Sequence, residues 1–225
     1  MGNTITTSQD GSHTLVSDKF GVSYHSKYGA IQETQTVFID AGLNHQIENG
    51  LTSMRILEMG FGTGLNALMT LMQIPDDIVI HYHTLEAYPI SKDTARTLNY
   101  PEVLDLSPQQ KEAFIAMHEC DSDHKIQINS NFTFTKHLIK IEDYDPTEMF
   151  DIVYYDAFAH TSQEELWTPE LMQRISKWCN LDAVLVTYCA KGSFKRALRS
   201  AGFSVEGIPG PIGKREMTRA TLNAN

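Results

Sequence analysis

Cysteine is scarce in this chain. There are three among 225 residues, Cys120, Cys179 and Cys189, odd in number and far apart. That excludes a disulfide framework and shows no zinc-ligand spacing. Free thiols in a reducing compartment are expected, with Cys179 and Cys189 as small core residues and no metal site. No apolar run approaches the roughly eighteen residues that a membrane helix requires. The stretch Met1 to Asp10 lacks the apolar centre of a signal segment, so a cytoplasmic protein is expected. Internal repeats and low-complexity segments are absent as well. Basic charge is also short, 18 Lys and Arg against 28 Asp and Glu for a net −10, which argues against indiscriminate binding to nucleic acid.

What is present is a hydrophobic content of 41%, enough for one full core, and a length that suits one large domain with a small appendage. The charge is unevenly spread. From Lys191 to Asn225 seven basic residues (Lys191, Lys195, Arg196, Arg199, Lys214, Arg215, Arg219) face two acidic ones, Glu206 and Glu216. This +5 segment, within a chain of net −10, leaves −15 on the remainder. A basic end on an acidic body suits selective contact with a phosphate backbone, although a solvated basic helix face would read the same way.

Apolar periodicity gives an alternating order. Residues 1–12 read as a flexible lead. His13–Val16 and Gly21–His25 read as a hairpin around Ser17–Phe20. Tyr28–Ala41 reads as a helix stopped by Gly42 in the C-cap role. Residues 1–50 thus form an appendage, and 51–225 the main domain. In the main domain, strands at 55–59, 78–86, 150–156 and 183–189 alternate with helices at 66–73, 92–98, 107–118, 169–179 and 193–201. Residues 132–141 read as one or two short strands. Ser107 is the N-cap before Pro108, and 203–208 with 216–222 form a closing antiparallel pair. This predicts an α/β fold, a mostly parallel sheet with helices on both faces.

Chemistry concentrates at three strand ends, where ligands bind in such sheets. After the apolar run Ile56, Leu57, Met59 come Gly60, Gly62 and Gly64 at alternate positions, then a helical pattern from Leu65. Glycine admits φ > 0 and lets the backbone lie close to a ligand, and the helix start offers free N–H groups. The spacing is G-x-G-x-G, not the G-x-G-x-x-G of dinucleotide sites, whose third glycine falls at Leu65. Glu58 stands just before the turn, to face a cofactor or to brace the loop. Glu86 ends the second strand, placed for a bidentate grip on two ribose hydroxyls. Asp156 ends the strongly apolar strand Phe150-Asp-Ile-Val-Tyr-Tyr, an acid that needs a partner or a task. His160 is a possible base beyond it. Phe158, Trp167, Tyr155 and Tyr188 are candidate stacking faces for a base, each also a candidate core residue.

The glycine spacing resembles the first motif of S-adenosyl-L-methionine (SAM) methyltransferases. Four colinear segments are more specific: Ser23-Tyr-His-Ser-Lys-Tyr-Gly-Ala-Ile-Gln-Glu-Thr34, Gly60-Phe-Gly-Thr-Gly-Leu-Asn66, Asp156-Ala-Phe-Ala159 with Trp167-Thr168, and Gly213-Lys-Arg-Glu-Met217. Together they resemble the bacterial tRNA 5-methylaminomethyl-2-thiouridine methyltransferase family, the methyltransferase domain of MnmC or its stand-alone counterpart MnmD, across roughly residues 13–220. The resemblance implies a Rossmann-like fold and SAM as cofactor. It implies methylation of the amine of 5-aminomethyl-(2-thio)uridine at the tRNA wobble position. Gly60, Gly62, Gly64 and Asn66, with Glu58, would hold SAM, Glu86 its ribose, and Asp156 would stand at the reacting centre as base or as orienting group. Phe158, Lys191, Lys195, Arg196, Lys214 and Arg215 would contact base and anticodon-stem phosphates. A separate oxidase would supply the amine. The chain departs from the family at Ala157, at His160, and at Ile139-Lys140, where an adenine-facing acid is missing and Glu142 or Asp143 is left to serve. A different amine acceptor, small molecule or protein, and a non-catalytic tRNA-binding module are the rival readings.

Overall fold

The structure, a computed structural model, describes residues 3–158 and 162–224. Its centre is an eight-stranded sheet in the order β5-β6-β4-β3-β7-β8-β10-β9. The strands are β3 (Ser53–Met59), β4 (Val79–Leu85), β5 (Lys125–Asn129), β6 (Phe132–His137), β7 (Phe150–Tyr155), β8 (Cys179–Thr187), β9 (Phe203–Pro209) and β10 (Glu216–Leu222). The run β6-β4-β3-β7-β8 is parallel, and β5, β10 and β9 add antiparallel edges. The expected mostly parallel α/β sheet is therefore present.

Strand alternation divides the buried residues between two faces. Ile56, Ile80, Tyr82, Ile152, Tyr154 and Val186 point into one core. Leu57, Val153, Tyr155 and Leu185, one residue along, point into the other. The first face is covered by a helical stretch over 30–48 and by α3 (Leu65–Gln73), the short α4 (Lys92–Arg96) and α5 (Tyr100–Val103), and α6 (Pro108–Glu119); the second is covered by α7 (Pro169–Ser176) and α8 (Gly192–Ser200). Ser107 caps α6 in a full capping box with Gln110, as its sequence predicts. No helix among the described residues is long and apolar enough to cross a membrane.

The amino-terminal part differs from expectation in two ways. Asn3–Thr7 is a strand, β1, not a loose lead. It pairs antiparallel with β2 (His13–Ser17), while Gly21–His25 contributes only the single bridge Val16 to Ser23. The helix does not stop at Gly42. It continues as α1 (Ala30–Thr34), a π-helical stretch (Gln35–Asn44) and α2 (His45–Glu48), and Gly50 follows its end with φ +91°. Gly42 is needed for packing: a Cβ there would lie 3.0 Å from Tyr154 Cε1 and 3.1 Å from Val186 Cγ2. Alanine would gain up to about 1 kcal/mol of helix propensity and press lightly on that ring. Valine has no such room, so Gly42→Val is expected to cost about 1–3 kcal/mol of stability in a urea titration. An unchanged midpoint would remove the packing role.

The strand order reverses beside β3: the chain moves from β3 to β4 and β6 on one side, then returns to β7 and β8 on the other. A crevice opens at such a switch point, outside the carboxyl ends of the strands. Glu58, Glu86, Asp156 and the three glycines all lie at that end.

Candidate active site

The turn after β3 is built by backbone that only glycine tolerates well. Gly60, Gly62 and Gly64 have φ of +89°, +52° and +75°. Each is also hemmed in: a Cβ would meet the Asp156 carbonyl oxygen at 3.0 Å, the Tyr24 ring at 3.0 Å, and His118 and Phe61 at 2.9 Å, respectively. The turn is tied to both neighbouring strands, since Gly60 N donates to Leu85 O at 3.0 Å and Asp156 N donates to Met59 O at 3.2 Å. No side chain caps the start of α3.

A cleft of about 910 Å³, open mouth included, lies over this turn and is lined by Gly60, Gly62, Asn66, Glu86, Asp156 and Phe158 among others. The glycine turn and the carboxylate that follows β7 therefore share one cavity. Glu86 is buried, with one oxygen accepting Gly62 N at 2.8 Å and the other accepting Tyr88 N at 2.6 Å. Burial pushes its carboxyl up, opposed by those two N–H groups and by the Lys136 ammonium. Each oxygen keeps a further lone pair for a ligand hydroxyl. Asp156 accepts Asn66 Nδ2 at 2.9 Å, and Asn66 in turn accepts Thr34 Oγ1 at 2.9 Å. Burial, with the Glu33 carboxylate nearby, pushes the Asp156 carboxyl up to about 7, while Asn66 and Lys214 hold it down. An acid poised there can take or give a proton near neutrality.

Other expected site residues lie elsewhere. Glu58 is fully buried beneath the turn and is not among the residues lining the cleft. Among the described residues neither of its oxygens has a partner at hydrogen-bond geometry. Burial pushes its carboxyl well above the ordinary 4.5, although Thr84, Asn66 and Tyr82 stand near enough to favour the ionised form. A dry, protonated acid bracing the loop fits this position better than a ligand contact. The linkage sign follows: the folded carboxyl keeps its proton to higher pH than the unfolded one. Its contribution is thus fully present below about 4.5 and is lost as pH rises through the folded value. Glu58→Gln is therefore expected to lose less stability than wild type as pH rises from about 4.5 in denaturant melts. Parallel slopes would contradict this.

Phe158 lines the first cleft, with its ring centroid 5.0 Å from that of Phe20 and 5.1 Å from that of Tyr24. Tyr155 is core, and its hydroxyl donates to the Leu166 carbonyl. Trp167 and Tyr188 line a second groove, about 960 Å³ with its mouth, together with Lys191, Lys214 and Arg215. This groove adjoins the first cleft through the loop after β7, where Tyr188 Oη donates to Ala157 O at 2.8 Å and Trp167 Nε1 to Phe158 O at 3.0 Å. Lys191, Arg196 and Arg215 are exposed. Lys195 and Lys214 are not free cations: they pair with Glu216 at 2.9 Å and Glu33 at 2.7 Å. The basic surface is thus smaller than the residue count suggests, because the fold brings an acid from another element against each of these two lysines. Ala159 and His160 lie outside the described residues.

Sequence reasoning missed the amino-terminal wall. Tyr24 and His25 line the cleft, and burial pushes the His25 imidazole down to about 4. Tyr88 completes the mouth, with Lys19 Nζ 3.2 Å from its ring centroid. Glu142, but not Asp143, reaches the lining. The available signal was the Ser23–Thr34 segment, specific in pattern yet without an obvious chemical residue beyond Glu33.

Residues 102–223 match the family model described as S-adenosyl-L-methionine-dependent methyltransferase. Curated relatives include the tRNA 5-methylaminomethyl-2-thiouridine biosynthesis bifunctional protein MnmC of Marinomonas sp. (strain MWYL1), 29% identical over 223 residues, covering 93% of this chain and 32% of the relative. The protein of the same name from Burkholderia multivorans is 30% identical over 220 residues, covering 91% and 33%. The chain thus spans about a third of the length of these relatives. Among solved structures, MNMC2 from Aquifex aeolicus superposes with a TM-score of 0.77 at 23% identity, covering all of this chain and 72% of that one. Magnesium protoporphyrin IX methyltransferase from Synechocystis PCC 6803, with bound SAH, gives 0.52 at 11% identity, covering 86% and 84%. At these identities the two structures speak for the fold.

Proposed function

The chain belongs to the S-adenosyl-L-methionine-dependent methyltransferase family, and from that premise we propose that it methylates the primary amine of 5-aminomethyl-(2-thio)uridine at the wobble position of tRNA. The observation that carries this reading is the placement of Asp156: a half-buried carboxylate, oriented by Asn66, after β7 between the glycine-turn cleft and a basic groove with aromatic walls.

The residues present suit the cofactor. Gly60 and Gly62 expose backbone along the cleft wall, Glu86 has lone pairs to spare, and Glu142 lines the same cleft. SAM, when bound, supplies a methyl group on a positively charged sulfur. The turn 60–64 would hold its amino-acid portion, Glu86 its ribose, and Glu142 its adenine amine. Asp156 would orient the acceptor nitrogen and take the proton it loses, so that the lone pair is free in a near-attack arrangement. Asn66 would keep that carboxylate aimed. The wobble base must leave its stack to reach the site, and the groove of Trp167 and Tyr188 suits a planar base. Exposed Lys191, Arg196 and Arg215 would meet anticodon-stem phosphates.

A cytoplasmic location and a separate oxidase that provides the amine belong to this reading through the family resemblance. So does a division into an amino-terminal appendage, 1–50, and a methyltransferase domain, 51–225. It is supported by the separate two-stranded sheet of β1 and β2, while the stretch 30–48 packs into the main core. The test is nucleoside mass spectrometry of tRNA carrying the unmethylated amine after incubation with the protein and SAM. Gain of one methyl on the aminomethyl nucleoside is expected. Turnover on other amines but none on this tRNA would overturn the substrate assignment.

A further inference from the structure

Two of the segments that carried the family resemblance meet in space. Gly213, with φ +87°, lies against Tyr28 so closely that a Cβ would fall 2.1 Å from the ring carbon Cε2. The next residue, Lys214, donates its Nζ to Glu33 Oε1 at 2.7 Å and sits 3.9 Å from the centroid of the Tyr188 ring. The other Glu33 oxygen accepts Ser26 N at 2.7 Å. Asp156 is near enough that Glu33 and Lys214 act on its proton in opposite senses. A carboxylate and an aromatic face thus hold one alkylammonium, with the Asp156 carboxylate within electrostatic range. This is the chemistry by which a primary ammonium is recognised, and the protein's own lysine fills it.

The pair is asymmetric. The Glu33 side chain is 8% exposed and tied to the Ser26 N–H, whereas the Lys214 side chain is 33% exposed and lines the groove beside Lys191 and Arg215. The lysine can therefore turn towards solvent once another cation takes its place, and the glutamate cannot. A structural ion pair would gain little from this arrangement, because one charge is desolvated for a partner whose side chain is a third exposed.

We propose that Glu33 is a second acceptor-binding carboxylate: the ammonium of the incoming substrate displaces Lys214 from Glu33, and Lys214 turns to a phosphate of the acceptor. This rests on reading the site as an amine methyltransferase acting on RNA, and it gives that site a means of telling an aminomethyl group from a hydroxymethyl group. The exchange keeps the charge of the pocket unchanged, so the buried Glu33 is never left unpaired.

The experiment measures binding of two anticodon stem-loops, carrying 5-aminomethyluridine or 5-hydroxymethyluridine at the wobble position, to the full chain saturated with S-adenosylhomocysteine. The readout is the ratio of the two affinities, which cancels phosphate contacts common to both. Wild type is expected to prefer the amine. Glu33→Gln is expected to lower the ratio by about tenfold or more, the worth of one charged hydrogen bond, with S-adenosylhomocysteine affinity unchanged. Lys214→Met is expected to weaken both RNAs but to keep or raise the ratio, since no lysine then competes for Glu33. A wild-type ratio in a Glu33→Gln protein that still binds S-adenosylhomocysteine overturns the proposal. So does loss of the ratio in Lys214→Met, which would make the pair a latch; that variant decides alone if Glu33→Gln does not fold. Wild type that methylates aminomethyl tRNA while Glu33→Gln keeps the ratio sinks this inference only. Wild type with neither transfer nor preference sinks the parent reading with it.

Discussion

Replacing Asp156 by Asn is expected to lower kcat for methyl transfer by about 10²–10⁴-fold, the usual worth of a positioned proton acceptor, with little change in cofactor affinity. The substitution keeps the volume and the backbone link of Asp156 N to Met59 O. What it removes is the group able to take the amine's proton. The pH profile separates this role from packing. The Asp156 carboxyl is pushed up to about 7, chiefly by burial and then by Glu33. Below that value it already carries a proton and can accept none; above it, it is ionised. The wild-type rate is therefore expected to climb as pH passes through about 7, and the residual rate of Asp156→Asn is expected to lack that limb. Measuring kcat with labelled methyl donor across pH checks both points. A wild-type rate in the variant, with donor bound, would remove the proton-accepting role.

Glu86→Ala is expected to weaken S-adenosyl-L-methionine binding by about 10²–10⁴-fold, from two charged hydrogen bonds at roughly 1.5–3 kcal/mol each. The change does more than delete an acceptor for the ribose hydroxyls. The carboxylate also holds Gly62 N and Tyr88 N, so both donors lose their partner and the turn loses its tie to the end of β4. A lower melting temperature should accompany the weaker binding. Glu86→Gln is expected to recover only part of the affinity, because its amide NH₂ would oppose one of those two N–H donors. Calorimetric titration with S-adenosylhomocysteine measures the effect. Affinity within about twofold of wild type would exclude Glu86 from the cofactor site, since even one such bond is worth more.

The parallel sheet and its switch point were legible in the sequence because their determinants are local: apolar alternation in the strands, three glycines in five residues, and acids at the strand ends. Gly42 misled, since glycine ends helices and also permits close packing, and only the tertiary partner, Tyr154 here, separates the two. The strand β1 was not legible because Asn3–Thr7 is polar and half exposed, and its pairing with β2 is the stronger determinant. At the site, Asp156, Glu86 and the glycines could be placed from their position at strand ends. Glu33 could not be assigned a role, because its partner Lys214 lies 181 residues away. The same distance hid the neutralisation of Lys195 and Lys214, which counting charges along the chain treats as free. Glu58 stands one strand residue before the turn, and whether such a side chain faces the cleft or the core depends on pleat direction.

The most direct test is a crystal structure of the protein with S-adenosylhomocysteine. The ribose hydroxyls are expected on Glu86, the homocysteine portion along Gly60–Gly64, and the sulfur facing the Asp156 carboxylate across a space that opens to Trp167 and Tyr188. A ligand seated with its sulfur turned away from Asp156, or bound outside the cleft altogether, would contradict the account.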